Sequence, residues 1–415
     1  MRKIIIFFII LTIIGTVSLV AINLRKDSSH TDDTSEAEIS QPIDLSGLDS
    51  YQPAGSMATV TDAGAVDAAA SQSFTISMNF VGDIMLAGND TATSSIDAMA
   101  NSQPSTYFFE NIRDYFLNDD ITIANCENVF SDNDNLVKTD NGEAAALEQY
   151  NNAVAEYNSA VALAQQTGTT VSMEKPEYTF RAFWFRSHAA TAKLLPENGV
   201  DVVSIDNNHT YDFGTDGNMD TRAALDVAGV DWGKDGKIVY KEINGFKIAF
   251  VFGSMYSAGA EQAMLVDLEE ANANSDYQVV YFHGGEEKVH AYEDWKQASC
   301  HNLVDHGADL VIGSHPHVLQ PMEAYNGVNI VYSLGNFIFG GNNYPENRTL
   351  IYNQTLTITQ DAATGGFTVA NTDITLIPCY VYTGESNNYQ PAVIENETDK
   401  QLVIDFMQGK RELPY

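Results

Sequence analysis

His315 and His317 stand one residue apart in Gly313-Ser-His-Pro-His317, directly after the apolar run Ala308-Asp-Leu-Val-Ile312. A buried strand that ends in a glycine turn carrying His-x-His aims two imidazoles from one rim of a sheet, a placement suited to holding a metal ion. Asp83, Glu127, Asn208-His209 and His283 each also follow a short apolar run. Divalent ions acting as Lewis acids need several donors converging from rigid elements, with one position left for water. Carboxylate, amide oxygen and imidazole together suit Mn, Fe or Zn, as one ion or as two sharing a carboxylate. Taken singly, Asp83 or Asn208 reads more readily as a turn or cap residue. Their company with His315 and His317 turns the reading toward metal. His188, His290, His301 and His306 lack strand-end placement and read as helix-surface or helix-end residues.

Strands must deliver these donors. Phe74 to Val81 alternates apolar and polar residues and reads as a strand ending at Gly82-Asp83. Ile121 to Ala124 leads to Asn125-Cys-Glu127, Val200 to Ile205 to Asp206-Asn-Asn-His209, Tyr277 to Phe282 to His283, and Ile330 to Leu334 to Gly335-Asn336. Phe246 to Phe252 is a further strand. Helical spacing occupies Tyr107–Leu117, Ser187–Glu197, Thr215–Val227 and His290–His306, the last closed by Gly307. Between Glu143 and Gln166, Leu147, Tyr150, Val154, Tyr157, Val161 and Ala164 recur at threes and fours, predicting an amphipathic helical insertion whose stripe packs on the domain. After Arg348 the style changes: Leu350–Thr359, Gly365–Ala370 and Thr372–Ile377 are strand-like, around a Thr364-Gly-Gly366 turn. Alternating strands and helices followed by successive strands predict an α/β fold, a layered β-sandwich flanked by helices.

Composition bounds the partners. The 415 residues carry 56 acidic and 21 basic side chains, a formal charge of −35. That excludes nucleic acid, whose phosphates demand basic patches, and any broad grip on a polyanion. A local cation site overcomes the repulsion, and bound metal is a simple way to make one. Three cysteines at wide spacing show neither a disulfide framework nor a thiolate zinc site. At the start, Met1-Arg-Lys3 precedes an apolar stretch from Ile4 to Ile22, and Arg25-Lys26 follows. Residues 1–26 read as a transmembrane or signal anchor, 27–72 as a disordered tether poor in large apolar groups, 73–345 as the main domain, and 346–415 as its β-rich end. The expected location is the cell membrane, single-pass, with the large domain extracellular, or secreted if the N-terminus is cleaved.

With these motifs in order, the chain resembles the CapA family of poly-γ-glutamate capsule proteins, whose domain is similar to calcineurin-like metallophosphatases. The resemblance rests on Phe80-Val-Gly-Asp-Ile-Met-Leu86, Asn125-Cys-Glu127, Tyr178-Thr-Phe-Arg181, Asn207-Asn-His-Thr-Tyr-Asp-Phe-Gly214, the stretch from Gly307 to Pro321, and Tyr332-Ser-Leu-Gly-Asn-Phe337, and covers roughly residues 74 to 340. It implies that Asp83, Glu127 and His317 hold one metal, and Asn208, His283 and His315 a second, with Glu127 a candidate bridge. It also implies His209 as general acid, Asp212 as its orienting partner, and Arg181 as the group that neutralises a bound anion. Departures are visible. Met85 stands where metallophosphatases usually carry a histidine ligand, Ser314 where the family often has histidine, and Gly284 where an aromatic residue is common.

Two functions compete at this point, the second as the alternative to the first. One is a metal-dependent hydrolase of a phosphoester or other linkage in an envelope polymer or its carrier. The other is a non-catalytic assembly or export component that binds an anionic capsule polymer or its precursor beside membrane-bound synthase subunits. A cell-surface domain with a degenerate pocket is a third reading.

Overall fold

The computed structural model describes residues 71–89, 95–140, 143–167, 169–171, 173–178, 183–340, 343 and 347–412. The anchor expected over 1–26, nearly all of the expected tether, and Arg181 lie outside the described residues. Among the described residues no helix is long and apolar enough to cross a membrane.

The chain enters on β1 (Gln72–Ile84), passes the short β2 (Gly88–Asn89), α1 (Ser95–Ser102) and α2 (Arg113–Leu117), and returns on β3 (Ile121–Cys126) and β4 (Val129–Phe130). A long helix, α3 (Glu143–Thr167), precedes β5 (Phe185–Ser187), β6 (Val202–Ser204), α4 (Gly214–Ala228) and β7 (Asp231–Gly233). Next come β8 (Val239–Ile243), β9 (Phe246–Met255), α5 (Gln262–Asn274), β10 (Tyr277–Gly284), α6 (Asp294–Asp305) and β11 (Leu310–Ser314). The chain closes through β12 (Leu319–Tyr325), β13 (Val328–Leu334), β14 (Asn336–Ile338), β15 (Arg348–Gln360), β16 (Phe367–Tyr380), β17 (Ala392–Val393) and α7 (Glu397–Met407).

These strands form an eight-stranded sheet ordered β17-β16-β15-β1-β3-β6-β7, with β14 beside β1, and a six-stranded sheet ordered β12-β13-β11-β10-β9-β8. A small third sheet, β2-β5-β4, completes the set. Phe80, Ile123 and Val202 of the first large sheet share one core with Phe250, Tyr281 and Ile312 of the second. The alternate residues Val81, Ala124 and Val203 turn outward onto Phe116 and Leu225, while Val251, Val280 and Val311 turn onto Met264, Leu268 and Leu303 of α5 and α6. Covering both faces explains why β10 is buried at every position and reads as a continuous apolar run. The architecture is mixed α/β, with layered sheets and flanking helices.

Local differences from the sequence reading have physical causes. The span around 187–197 is two short 3-10 turns, Ala189–Leu194 and Pro196–Asn198, because Pro196 has no N–H to extend an α-helical ladder. The two strand-like pieces after Gly365 are one strand, β16, with a register shift opposite Thr357 and Ile358 that acts as a bulge. The β15 strand pairs with β1 over nine residue pairs, Gln72–Phe80, so the β-rich end is built into the main sheet. Helix α7 was not anticipated. Its start is an N-cap, the Asn396 side chain accepting from the Thr398 and Asp399 amides, and Val403, Phe406 and Met407 bury its inner face.

Candidate metal centre

The carboxyl ends of β1, β3 and β6 in one sheet and of β10 and β11 in the other meet at one place. Ligand sites form at such ends in α/β sheets because the strands stop there and their loops diverge. At Gly82 a Cβ would lie 1.8 Å from the Gly335 carbonyl oxygen, so only glycine lets β1 approach closely enough for the Asp83 amide to donate to that oxygen at 3.0 Å. Asp83 then registers with Asn125 on β3 and Asn336 on β14. Alternation along β10 places Val279, Tyr281 and His283 on the inner side, and His283 registers with Ser314. The turn after β11 holds His315 at φ 97° and His317 at φ 59°, in the left-handed region that non-glycine residues seldom adopt. Strain of this kind persists where surrounding structure over-determines it, and here it turns both imidazoles back over the strand ends.

All six residues that the resemblance implies as ligands come together. His317 Nδ1 lies 3.3 Å from Asp83 Oδ2, and its Nε2 lies 3.8 Å from Glu127 Oε1. His283 Nε2 is 2.8 Å from Asn208 Oδ1, 3.0 Å from His315 Nδ1 and 3.7 Å from Glu127 Oε1. Two overlapping donor groups are compact enough for a metal ion: Glu127 with His315 and His317, and Asp83 with Glu127 and His283. Glu127 belongs to both. The partners behind the donors are amides and a hydroxyl: Asn125 donates to Asp83 at 2.9 Å, Asn207 donates to Asn125 at 3.0 Å, Ser314 Oγ lies 3.0 Å from His283 Nδ1, and Asn336 Oδ1 lies 2.8 Å from His317 Nδ1. Such partners fix ring orientation and tautomer.

The electrostatics fit a divalent cation. Burial, then the Asp83 carboxylate, raises the Glu127 carboxyl well above its ordinary range. Burial, then the His315 and His317 imidazoles, holds His283 well below its ordinary value, and burial with His317 lowers His315 to about 3. Neutral imidazoles are the ligating form. Glu127 Oε1 is buried without a hydrogen-bond partner, while the His283 and His317 Nε2 atoms stand 3.7 and 3.8 Å from it. Electron-pair donors facing one another at this spacing, with an orphaned carboxylate oxygen in their midst, are the arrangement a cation stabilises and a protein interior otherwise penalises. The donor set and that orphaned atom therefore fit a divalent ion.

Beside the cluster, His209 Nδ1 lies 2.9 Å from Asp212 Oδ2, and the same carboxylate oxygen accepts from the Phe185 amide at 2.8 Å. Phe185 stands edge-on to His209 at 4.6 Å between centroids. Met85 packs with Ala87, Phe185 and Phe339 in a small apolar cluster that Phe183 also joins. At Gly284 a Cβ would fall 1.6 Å from the Met255 carbonyl oxygen, so the close packing of β9 on β10 demands glycine there. Of the histidines set aside in the sequence, His188 pairs with Asp132, His301 with Glu323, His290 lies 2.8 Å from the Leu319 carbonyl, and His306 lies 2.8 Å from that of Asn302. Sequence reasoning overlooked Asn207, whose place in Asn207-Asn-His209 was a usable signal, and Tyr256, which carried none.

Comparison with known proteins finds capsule proteins. The model of the bacterial capsule synthesis protein family PGA_cap matches residues 146–341. The chain is 30% identical over 247 residues to the capsule biosynthesis protein CapA of Bacillus anthracis, covering 53% of this chain and 57% of that one. It is 32% identical over 176 residues to the PGA biosynthesis protein CapA of Bacillus subtilis (strain 168), covering 37% and 46%. The chain thus spans about half the length of the curated relatives it matches. Two solved structures align at low similarity: a hypothetical protein from Thermus thermophilus (TM-score 0.38, 16% identity, 73% of this chain and 98% of that one) and a novel phosphatase from Mycoplasma pneumoniae (TM-score 0.37, 12% identity, 74% and 95%). Likeness at that level says nothing about activity. On its sequence matches, the chain is similar to the CapA capsule biosynthesis proteins, with the family model confined to residues 146–341.

Proposed function

We propose that the chain is a metal-dependent hydrolase of metallophosphatase type, acting at the cell envelope on a phosphoester in a capsule polymer, its precursor or its carrier. The observation that carries this reading is the orphaned Glu127 Oε1 with the His283 and His317 Nε2 atoms 3.7 and 3.8 Å away. In it, Asp83, Glu127 and His317 would hold one ion and Asn208, His283 and His315 another, with Glu127 placed to serve either. When bound, a divalent ion (Mn, Fe or Zn) supplies Lewis acidity, polarising a phosphoryl oxygen and acidifying water. The remaining work falls to the chain. His209 would give a proton from Nε2 to the leaving alkoxide, while Asp212 fixes the ring through Nδ1. Asn336 and Ser314 keep His317 and His283 aimed, and Phe185 with Phe339 shields the His209 side from water.

The N-terminal segment would tether the domain to the membrane, with the domain outside, and Arg181 would help neutralise the substrate anion. Synthase subunits in the same membrane would be its neighbours. One observation favours the second reading, a binding component without turnover: Met85 is committed to the apolar cluster and offers no ligand, so the first ion has fewer donors than the second. Elemental analysis joined to a phosphoester screen separates the two. Hydrolase action predicts bound Mn, Fe or Zn and turnover that falls at least a hundredfold in His209→Ala. Metal without turnover supports the binding component, and turnover unchanged in His209→Ala removes the acid role.

A further inference from the structure

Tyr256 follows the end of β9 and stands at the centre without belonging to the donor set. Its ring is edge-on to His315 at 5.1 Å and 80°, and to His283 at 6.3 Å and 77°. Yet 44% of the residue is exposed, unlike the donors it touches, which are 6% exposed or less. One edge of the phenol therefore packs on the second donor set while the rest faces whatever enters. The opposite side of the centre is apolar: Phe185 lies on His209 at 4.6 Å and Phe339 on His317 at 4.7 Å, both rings only 8% exposed. The mouth is thus unsymmetrical, with the half-exposed Tyr256 phenol, its hydroxyl in hydrogen-bond reach of Ser254, on the His283 and His315 side and aromatic carbon beside His209 and His317.

We propose that Tyr256 is a substrate-contact residue whose hydroxyl donates to a non-bridging oxygen of a tetrahedral phosphoryl anion held at the second donor set. The inference rests on the proposed function above and names a residue that contacts its substrate. A tetrahedral anion has oxygens to spare once it meets the cations, and a phenol at the rim reaches one of them. The apolar side then receives the esterified alcohol, next to His209 that would protonate it.

The test uses inorganic phosphate as the probe, titrated calorimetrically into the Mn-loaded protein and into Mn-loaded Tyr256→Phe, with metal content measured on the same samples. Phenylalanine keeps the ring packing and removes only the hydroxyl. The expected result is phosphate binding about tenfold weaker in Tyr256→Phe, one charge-assisted hydrogen bond, at unchanged metal content. A merely structural tyrosine would instead lower the metal content. Equal phosphate affinity in both proteins overturns the proposal, as does preference of the wild type for glutarate over phosphate. Metal uptake with no phosphate binding also overturns it and leaves the metal-centre reading standing. Failure of the wild type to bind metal overturns both.

Discussion

His283 Nε2 and His315 Nδ1 lie 3.0 Å apart, and Asn208 Oδ1 lies 2.8 Å from the same His283 nitrogen. One proton can sit between two imidazoles, but a third electron-pair donor on the same nitrogen has no proton left to share. A cation reconciles all three. Around this relationship the stability of the protein should depend on metal and on pH in opposite senses.

Glu127 is raised well above its ordinary carboxylate value, so as pH rises past that value the unfolded chain releases a proton the folded chain keeps, and stability falls. His283 and His315 are lowered, so below about 6.5 the unfolded chain gains protons the folded chain refuses, and stability falls again as pH drops. The metal-free protein should be most stable in mild acid. Saturating Mn removes the Glu127 penalty and should raise Tm by roughly 5 °C at pH 7.5, with a smaller gain at pH 5.5. Thermal melts with and without Mn at both values check this. An equal or larger gain at pH 5.5 would count against it.

Asn336 holds His317 from behind through its side-chain oxygen at 2.8 Å, while its Nδ2 is buried without a partner. Asn336→Ala should weaken metal affinity about 10- to 100-fold, less than His317→Ala, and leave the melting curve of the metal-free protein nearly unchanged. Metal titration against a fluorescent chelator reads the difference.

Gly284 is pressed against the Met255 carbonyl, where a Cβ would approach to 1.6 Å. No flexible side chain can yield there, since the obstacle is backbone. Gly284→Ala should cost about 3 kcal/mol or more, read by urea unfolding, and should displace His283. An alanine variant of wild-type stability would show that β9 and β10 are spaced more loosely than described.

Asp119 lies far from the centre, accepting from Thr122 Oγ1 at 2.8 Å and from the Asn79 amide at 3.2 Å, with its other oxygen buried and unpartnered. Burial raises it to about 7. Between its ordinary value and 7 the folded chain keeps a proton that the unfolded chain has lost, so stability declines as pH rises through that window. Asp119→Asn should raise Tm at pH 8 and change little at pH 4. A loss of stability at pH 8 would refute the reading.

Much of the centre was legible because parallel strands covered on both faces read as apolar runs, and the polar residue ending each run marks a sheet rim. Tyr277 to Phe282 before His283, and Leu310 to Ile312 before the His-Pro-His turn, are of this kind. The sequence marked Asn336 as a candidate to stand behind the ligands, but not which ligand it supports. Asn336 reaches His317 because β14 pairs with β1 at Asp83, a contact between positions more than 250 residues apart. Tyr256 is placed by the register of β9 on β10, and nothing near it in sequence marks it. Met85 looked like a ligand position filled by a poor ligand, and only packing showed it belongs to an apolar cluster. Helix α7 was missed although Asn396 and the spacing of Val403, Phe406 and Met407 were readable, because the β-rich run before it dominated the pattern.

The most direct test is anomalous diffraction from crystals soaked in manganese. The account predicts a peak about 2.0–2.3 Å from Glu127 Oε1 and within ligand distance of His283 or His317, lost in His315→Ala if the second site is the occupied one and weakened there if both are. No anomalous density among these side chains at saturating manganese, in crystals that show the cluster intact, would contradict it.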